Sequence, residues 1–358
     1  MRRRVQVGVG AAVAVVLLVG VLAAVRRDPG PAELVVASTT TTQARALPAS
    51  TIALPPDTTA APVVPSAGGG SGPAFTLKAG DGRAYASAIP FTSGAPVPSG
   101  LQFVVVIGSD ARPGQDVRRA NGDSVHLLAV NPATMEGTIV GIPRDAWVAI
   151  PGRGNGKLTS ALASGGPSLV VETVRRLTGL PIHYYVLTGF QGLTSMVDDL
   201  GGVDVLVDRR MADRASGAFF APGWHRFDGA QALAFTRNRQ DTASGDFGRS
   251  ENHGALILAA LGKMRAEVGD DAGLRRWIEV LARHASLDVP PDKLASLAAL
   301  GRRVDPARMR NVVVPGRIGT AGRASVVYLG AGAADLFADL RDDAVPGGPA
   351  PAPAPVPP

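Results

Sequence analysis

Two groups of charged residues, far apart in the chain, are of the types that bind phosphate. The first group stands at the ends of apolar runs and consists of Asp110, Asp123 and Arg144. The second is rich in arginine and consists of Arg237, Arg239, Asp246 and Arg249. Guanidinium groups suit phosphate because their planar fork donates paired hydrogen bonds and stays charged. Since α/β proteins place their chemistry at strand ends, we expect the two groups to form one anion-binding site.

The two aspartates of the first group could bind a hard cation such as Mg²⁺. Asp110 and Asp123 each adjoin a predicted strand, and one or two carboxylates commonly hold Mg²⁺ at phosphate sites. The alternative is that one or both only cap a turn, as aspartate often does. The arginines also have an alternative, which is a solvated surface cluster or structural ion pairs with Asp145, Asp241 and Asp246.

Lys157 follows a glycine-rich stretch, residues 152–156, and precedes a predicted helix. Such a loop can hold phosphate through backbone N–H groups, but the spacing differs from the Walker motif, so an ordinary loop is the alternative. The chain has no cysteine, no Gly-x-Ser-x-Gly and no His-Glu-x-x-His. These absences argue against thiol, serine-hydrolase and zinc-protease chemistry. His126 and His183 lie in apolar runs and are predicted to be core or edge residues.

The basic character of the chain arises at its N-terminus. Arg2, Arg3, Arg4, Arg26 and Arg27 are five of the 36 basic residues, which leaves 31 against 30 acidic residues, since residues 1–27 contain no acid. This balance removes the main argument for a nucleic-acid partner.

A membrane anchor is predicted over residues 5–25, which contain no charged side chain. About 20 apolar residues span the hydrocarbon core of a bilayer. A cleaved signal peptide is the alternative, although its apolar region usually has only about 7–15 residues. Three arginines precede the span and two follow it, so the positive-inside rule places the N-terminus in the cytoplasm and the rest outside the cell membrane.

The chain divides further by composition. Residues 1–27 are the cytoplasmic stub and anchor, and residues 28–73, rich in Thr, Pro, Ala and Gly, predict a disordered linker. Residues 74–343 have the apolar content of one folded extracytoplasmic domain, and residues 344–358 predict a Pro/Ala-rich disordered tail.

Strands alternate with helices in the folded domain, which predicts an α/β fold: a three-layer α/β/α sandwich with a central mixed sheet. A hairpin over 75–78 and 85–91 leads into it. Further strands are predicted over 103–107, 125–130, 138–142, 183–187, 203–207, 312–315 and 325–329. Helices are predicted over 168–178, 191–200, 248–268, 272–286 and 291–302.

Several motifs occur in the order typical of one protein family. They are Phe103-Val-Val-Val-Ile-Gly-Ser-Asp110-Ala-Arg112, Gly122-Asp123-Ser124, Ile142-Pro-Arg144-Asp145, Lys157, Gly165-Gly-Pro167, His183-Tyr-Tyr185, Asp199-Leu-Gly-Gly-Val203, Gly229-Ala-Gln-Ala-Leu-Ala-Phe-Thr-Arg237-Asn-Arg239 and Asp246-Phe-Gly-Arg249. Over residues 100–341 the chain therefore resembles the LytR-CpsA-Psr (LCP) family of bacterial envelope proteins, also known as cell envelope-related transcriptional attenuators.

The resemblance implies a membrane-anchored, Mg²⁺-dependent phosphotransferase with an α/β/α fold and an apolar groove for a polyprenyl tail. The enzyme would move a glycopolymer from a polyprenyl-pyrophosphate carrier to a hydroxyl of peptidoglycan. By this resemblance Asp110 and Asp123 would hold Mg²⁺, and one would help deprotonate the acceptor. Catalytic roles are further implied for Arg144, Arg237 and Arg239. Contacts to the pyrophosphate are implied for Arg112, Arg144, Lys157, Arg237, Arg239, Arg249 and His253.

Two positions depart from the family pattern. Asn121 stands where many members have an arginine, and a loop shift that brings Arg118 or Arg119 nearer could restore the charge. His253 stands where the family often has glutamine. Because histidine titrates near neutral pH, His253 predicts a pH-dependent activity between about 5.5 and 7.5.

Other functions use the same residues. A non-catalytic envelope protein that binds polyprenyl phosphates would need the same arginines, as would a polyprenyl pyrophosphatase with water as acceptor. A transcriptional attenuator is disfavoured, because the predicted orientation leaves only about residues 1–4 in the cytoplasm.

Overall fold

The computed structural model describes residues 75–78, 84–87, 99–239 and 245–347. The predicted membrane span, the linker and residues 348–358 of the predicted tail lie outside the described residues. None of the helices in this part of the chain combines the length and the apolar character needed to cross a bilayer.

The strands and helices of the described residues alternate along most of the chain. The strands are β1 (Phe75–Lys78), β2 (Ala84–Ser87), β3 (Gln102–Ser109), β4 (Gly122–Asn131), β5 (Glu136–Ile142), β6 (Trp147–Ile150), β7 (Gly154–Lys157), β8 (Tyr184–Gly189), β9 (Val203–Val207), β10 (Met211–Asp213), β11 (Ala218–Phe220), β12 (Gly223–Phe227), β13 (Ser286–Leu287), β14 (Met309–Val313), β15 (Gly316–Ala321) and β16 (Ala324–Leu329). The helices are α1 (Thr159–Thr178), α2 (Phe190–Asp199), α3 (Gly229–Arg237), α4 (Asp246–Glu267), α5 (Asp271–His284), α6 (Pro291–Arg303) and α7 (Ala331–Asp343).

A six-stranded mixed sheet lies at the centre, in the order β13-β8-β3-β4-β5-β14. β3 pairs antiparallel with β4 and parallel with β8, and β5 pairs parallel with β14. Side chains of one strand alternate between two hydrophobic cores. In β3, Val104 and Val106 pack with α2, α4, α5 and α6, whereas Val105 and Ile107 pack with α1 and α7. Helices thus cover both faces, and the predicted α/β fold with a mixed central sheet is confirmed.

Strand pairing brings the first charged group to one edge of this sheet. β3 ends at Ser109 opposite Gly122, and β5 ends at Ile142 opposite Val125. β8 ends at the same edge, because Gly189 pairs with Ser109. The residues that follow or begin these strands are therefore neighbours in space: Asp110, Asp123, Arg144 and Phe190.

Some elements differ from the prediction. The helix predicted over 168–178 is only the second half of α1, which bends where Gly166 adopts a φ of 70° and Pro167 follows. The strand predicted over 312–315 begins and ends earlier, as β14. The glycine-rich stretch before Lys157 is not a phosphate-binding loop, because β7 pairs with β6 in a hairpin. Helices α3 and α7 lie outside the predicted elements.

The close contact between α2 and α3, the helix that ends at Arg237, gives a testable prediction about stability. A Cβ atom at Gly229, the first residue of α3, would lie 2.2 Å from the carbonyl oxygen of Thr194 in α2. Gly229→Ala should therefore lower the free energy of unfolding by about 2 kcal/mol, because backbone has to move. Gly262→Ala is the control, since its Cβ would meet nothing nearer than 3.8 Å. That helix substitution should stabilise by up to about 1 kcal/mol, as urea denaturation would measure.

Candidate functional site

Asp246, the first residue of α4, joins the two charged groups. Its Oδ1 lies 2.6 Å from Arg249 Nη2, 3.2 Å from Arg239 Nη2 and 3.8 Å from Arg144 Nε. Arg144 follows β5, whereas the other two arginines come from the second group. The structure therefore brings both groups into one site, held together by a carboxylate that accepts from or attracts three guanidinium groups.

Asp123 is the buried carboxylate of this site. Only 1% of its side chain is exposed, and its Oδ1 accepts a short hydrogen bond from Arg144 Nη1. Its Oδ2 is also buried and has no hydrogen-bond partner among the described residues. Burial raises the pKa of Asp123, and the charges of Arg144 and Arg249 oppose that rise. Burial lowers the pKa of Arg144, but Asp123 and Asp246 outweigh it and raise the pKa overall.

Asn121 orients Asp110, which explains what the first departure from the family pattern does in this chain. The Asn121 backbone N–H donates to Asp110 Oδ1 at 2.9 Å, and its side-chain Nδ2 donates to Oδ2 at 3.3 Å. Arg118 and Arg119, which could have replaced the missing arginine, lie near another carboxylate. Arg118 forms an ion pair with Asp116 at 3.0 Å, and Arg119 lies 4.0 Å from the same side chain.

Phe190 supports two further arginines. The guanidinium carbons of Arg112 and Arg237 lie 5.2 and 5.7 Å from the centroid of its ring, distances at which cation–π attraction operates. Arg237 Nε is buried without a hydrogen-bond partner among the described residues. A buried N–H donor without a partner costs about 1–3 kcal/mol, so this arginine is suited to donate to an anionic ligand.

Lys157 lies at the rim of this region rather than in it. Its Nζ forms a 3.0 Å ion pair with Asp145 Oδ1, and about 29% of its side chain is exposed. Asp145 directly follows Arg144 in the chain. Lys157 can therefore reach a bound anion only by exchanging this partner.

Arg249 and His253 are buried beside the other residues of the site, and their predicted contact with pyrophosphate stays a prediction. Arg249 is 2% exposed and donates to Asp246, while burial lowers its pKa to about 10. His253 is 1% exposed, and both its ring nitrogens contact protein atoms, namely Ser124 Oγ and the Thr236 carbonyl. Both side chains are therefore held by contacts within the protein in this structure.

The burial of His253 corrects its predicted pH dependence. Burial places its pKa well below the ordinary value of 6.5, and the neighbouring His126 and Arg249 lower it further. His253 therefore stays neutral throughout the range from about 5.5 to 7.5. We expect the ratio of activities of the parent and His253→Gln to stay constant across this range. A ratio that changes several-fold in parallel pH–rate profiles would show that His253 titrates there.

The site has more positive than negative charge. We call the following set the charged cluster: Arg112, Arg144, Arg237, Arg239, Arg249, Asp110, Asp123, Asp213 and Asp246. Five arginines against four aspartates leave a net charge of +1. Asp213 is buried and accepts from the backbone N–H of Arg239 at 3.3 Å, which fixes the chain just after α3.

The carboxylates of the cluster fit a Mg²⁺ ion in part. The orphaned Asp123 Oδ2 is a suitable oxygen ligand, and the charge of Asp110 acts on Asp123. No group of three or more acidic or histidine side chains that could hold a metal occurs among the described residues. Mg²⁺ commonly needs only one or two carboxylates when phosphate oxygens and water complete its shell.

Sequence reasoning assigned no functional role to two residues of this region, Phe190 and Asp213. Asp246 was placed in the arginine-rich group of the expected anion-binding site, with a structural ion pair as the alternative. Phe190 follows a predicted strand, and that position is the signal that could have identified it. Asp213 gives no such signal, because its closeness to Arg239 depends on how the hairpin β10–β11 folds back.

Comparison with protein families supports the resemblance. The LytR_cpsA_psr family matches residues 93–337, more than half of the chain. Similar curated proteins include the polyisoprenyl-teichoic acid–peptidoglycan teichoic acid transferase TagU of Oceanobacillus iheyensis, 34% identical over 200 residues, 54% of this chain and 61% of that protein. Another is the probable cell wall biosynthesis protein LcpB of Corynebacterium glutamicum, 38% identical over 157 residues, 40% of this chain and 37% of that one. The match thus spans less than two thirds of these relatives.

Solved structures share the fold. Bacillus subtilis TagV superposes with a TM-score of 0.56 at 22% identity and covers 65% of this chain and 91% of its own. TagT bound to LIIa-WTA superposes with a TM-score of 0.56 at 24% identity and covers 68% and 91%. At such identities the likeness concerns the arrangement of the sheet and helices.

Proposed function

Because this chain belongs to the LytR_cpsA_psr family, we propose that it transfers a glycopolymer from a polyprenyl-pyrophosphate carrier to a hydroxyl of peptidoglycan. The observation that carries the proposal is the charged cluster, where arginines from separate segments surround the buried Asp123 and the partly buried Asp246. A diphosphate diester has two negative charges, which match an excess of arginine better than one carboxylate would. The name of the relative TagU agrees with this class of reaction.

In the proposed reaction the acceptor hydroxyl oxygen attacks the phosphorus that bears the glycopolymer. A new oxygen–phosphorus bond forms, the bond from that phosphorus to the bridging oxygen breaks, and polyprenyl phosphate leaves with the electron pair. The hydroxyl proton passes to Asp110 or Asp123. Arg144, Arg237 and Arg239 would donate hydrogen bonds to the phosphate oxygens, because phosphoryl transfer depends mainly on positioning and charge stabilisation.

Mg²⁺ is part of the proposal. Asp110 and Asp123 would hold it, and the ion when bound would neutralise charge on the phosphate oxygens. Two features of this chain support that role: the bonds from Asn121 that orient the Asp110 carboxylate and the orphaned oxygen of Asp123.

The place of action in the proposal is the outer face of the cell membrane. Residues 5–25 would anchor the chain with its N-terminus in the cytoplasm. The folded domain would then meet both the lipid-linked donor in the membrane and peptidoglycan outside it.

The test is phosphate release from a polyprenyl pyrophosphate by the full chain in detergent, with Mg²⁺ or with EDTA. Water replaces the acceptor in this assay, so only donor chemistry is measured. We expect turnover with Mg²⁺ and a loss of at least about 100-fold with EDTA or in Asp123→Asn. Adding peptidoglycan glycan chains and a glycopolymer-linked donor should then give a phosphodiester-linked product.

Other outcomes would favour the alternative functions. Tight lipid binding without turnover, even with the acceptor present, would indicate a non-catalytic binding protein. Hydrolysis that no acceptor converts into transfer would indicate a pyrophosphatase. Activity that is unchanged in Asp123→Asn would contradict the proposed site.

A further inference from the structure

A buried hydrogen-bond chain of three side chains lies behind the charged cluster. Ser124 Oγ lies 2.6 Å from His253 Nδ1 and 3.0 Å from His126 Nδ1. The other ring nitrogens face backbone carbonyls, with His126 Nε2 at 3.1 Å from Ser250 O and His253 Nε2 at 2.8 Å from Thr236 O. All three side chains are at most 3% exposed. Water therefore does not compete for these contacts.

The partners fix the tautomers of both histidines. A carbonyl oxygen only accepts, so both Nε2 atoms carry the hydrogen and both Nδ1 atoms are acceptors. The Ser124 hydroxyl has one hydrogen for two acceptors, and the shorter contact assigns it to His253. His126 Nδ1 then faces the same oxygen without a hydrogen between them. Removing the hydroxyl takes away the hydrogen bond to His253 Nδ1 and adds no bulk, so we expect Ser124→Ala to fold.

This chain connects the segments that carry the charged cluster. Ser124 directly follows Asp123 in β4, and Thr236 directly precedes Arg237 in α3. Ser250 and His253 belong to α4, the helix that begins at Asp246 and contains Arg249. The side chains of Ser124 and Asp123 lie on opposite faces of their strand, so the histidines do not reach the Asp123 carboxylate.

We propose that Ser124, His126 and His253 are positioning residues, whose hydrogen-bond chain sets the separation between Asp123 on β4 and the arginines on α3 and α4. This inference rests on the proposed function, because it concerns the geometry of the phosphoryl-transfer site. Five arginines repel one another, so their spacing has to be imposed by the supporting structure. A displacement of about 1 Å at such a site costs about 100-fold in rate.

The chain offers matched variants for a test. His253→Leu removes both ring contacts, whereas His253→Gln supplies one donor and one acceptor again. Thr138→Val is the structural control, because Thr138 is a fully buried residue of β5 whose hydroxyl donates at 2.9 Å to the carbonyl of Ala344, away from the cluster. It removes a buried hydrogen bond from the same sheet without touching the site.

The measurements are kcat and KM for phosphate release, the thermal midpoint, and the affinity for inorganic pyrophosphate by calorimetry. We expect His253→Leu and Ser124→Ala to lower kcat by about 10- to 100-fold, and His253→Gln to recover most of the loss. Thr138→Val should lower the thermal midpoint about as much as His253→Leu does, but leave kcat within about two-fold of the parent. The positioning role is wrong if the Leu and Gln variants have equal kcat, or if Thr138→Val loses as much activity.

Failure of the proposed function would be recognised separately. If the parent turns over no donor, that function is wrong, and pyrophosphate affinity then tests the positioning role by itself. His253→Leu should still bind pyrophosphate at least about 10-fold more weakly than His253→Gln. Equal affinities would overturn the inference.

Discussion

Arg144→Ala should reduce donor turnover by about 10³-fold, the largest effect that we expect from a single substitution. Arg144 Nη1 is the donor to Asp123 Oδ1, and its Nε lies 3.8 Å from Asp246 Oδ1. The alanine variant therefore leaves a 1% exposed carboxylate without its adjacent cation. It also removes a guanidinium group from the edge of the sheet where Asp110 and Asp123 meet. Both losses act on the proposed phosphate-binding geometry.

The pKa of Asp123 explains why the loss should exceed that of one hydrogen bond. Burial already raises this pKa, and the charge of Arg144 is the largest opposing influence. Without Arg144 the pKa rises further, so a larger fraction of Asp123 is protonated at neutral pH. A protonated carboxyl neither binds Mg²⁺ nor accepts a proton. Raising the pH should therefore recover part of the activity of Arg144→Ala, and a pH–rate profile would measure this.

Arg144→Lys is the matched control. Lysine keeps the positive charge beside Asp123 but lacks the planar fork that serves two acceptors at once. We expect it to restore folding and the ordinary pH profile, while turnover stays about 10- to 100-fold below the parent. Full activity in Arg144→Lys would show that charge alone is needed. Alanine activity within about ten-fold of the parent would remove Arg144 from the site.

The sequence predicted the part of the site that strand pairing creates. Apolar runs identified β3, β4 and β5, and neighbouring antiparallel strands necessarily bring the end of one beside the start of the next. Asp110, Asp123 and Arg144 could thus be placed together without any knowledge of helix packing. A register shift between Gly108 and Ser109 is the only irregularity in the β3–β4 pairing, and it lies beside Asp110.

The part of the site that helices α3 and α4 contribute was harder to predict from the sequence. Asp228 and Gln231 form a capping box at the start of α3, a signal visible in the sequence. The helix is only nine residues long, so its apolar pattern is too short to distinguish it from a strand. The partners of Asp246 were open to prediction as ion pairs, but their proximity to Arg144 depends on how α4 packs against β4 and β5. The sequence left structural ion pairs and an anion site as alternatives, yet the residues that form the ion pairs are also those of the proposed anion site.

His253 shows what residue type alone leaves undetermined. A histidine in an exposed cleft titrates near neutral pH, whereas burial of His253 between α4 and β4 lowers its pKa well below the ordinary value. The sequence gives the residue and its place in a motif. Burial, which decides its pKa, comes from packing between segments more than 100 positions apart, as the Ser124–His253 contact shows.

Asp246→Asn should raise the affinity for pyrophosphate and lower the turnover of the donor. Asp246 Oδ1 is the point on which Arg144, Arg239 and Arg249 converge. Asparagine has nearly the same shape but no charge, so the net charge of the cluster increases from +1 to +2 and the arginines repel one another more strongly. We expect the free energy of unfolding to fall by about 3 kcal/mol, as when one partner of a buried ion pair is removed.

The bound anion should oppose this loss of stability. Pyrophosphate would supply the negative charge that the three arginines lose, so its affinity for Asp246→Asn should be up to about 10-fold higher than for the parent. Its stabilising effect on the thermal midpoint should increase accordingly. Turnover should nevertheless fall by about 100-fold, because the guanidinium groups are no longer held at fixed positions. Calorimetry, thermal unfolding with and without pyrophosphate, and donor turnover would measure the three effects.

Asp145→Asn distinguishes geometry from net charge in this experiment. Asp145 pairs with Lys157 at the rim, and Asp145→Asn removes the same amount of negative charge from beside the charged cluster without releasing the three arginines. The control should lose at most about 1 kcal/mol of stability, as is usual for a partly exposed ion pair, and should keep turnover within about ten-fold of the parent. Equal loss of turnover in both variants would mean that charge alone controls the reaction. Weaker pyrophosphate binding in Asp246→Asn would mean that Asp246 does not compete with the diphosphate for the charges of the arginines.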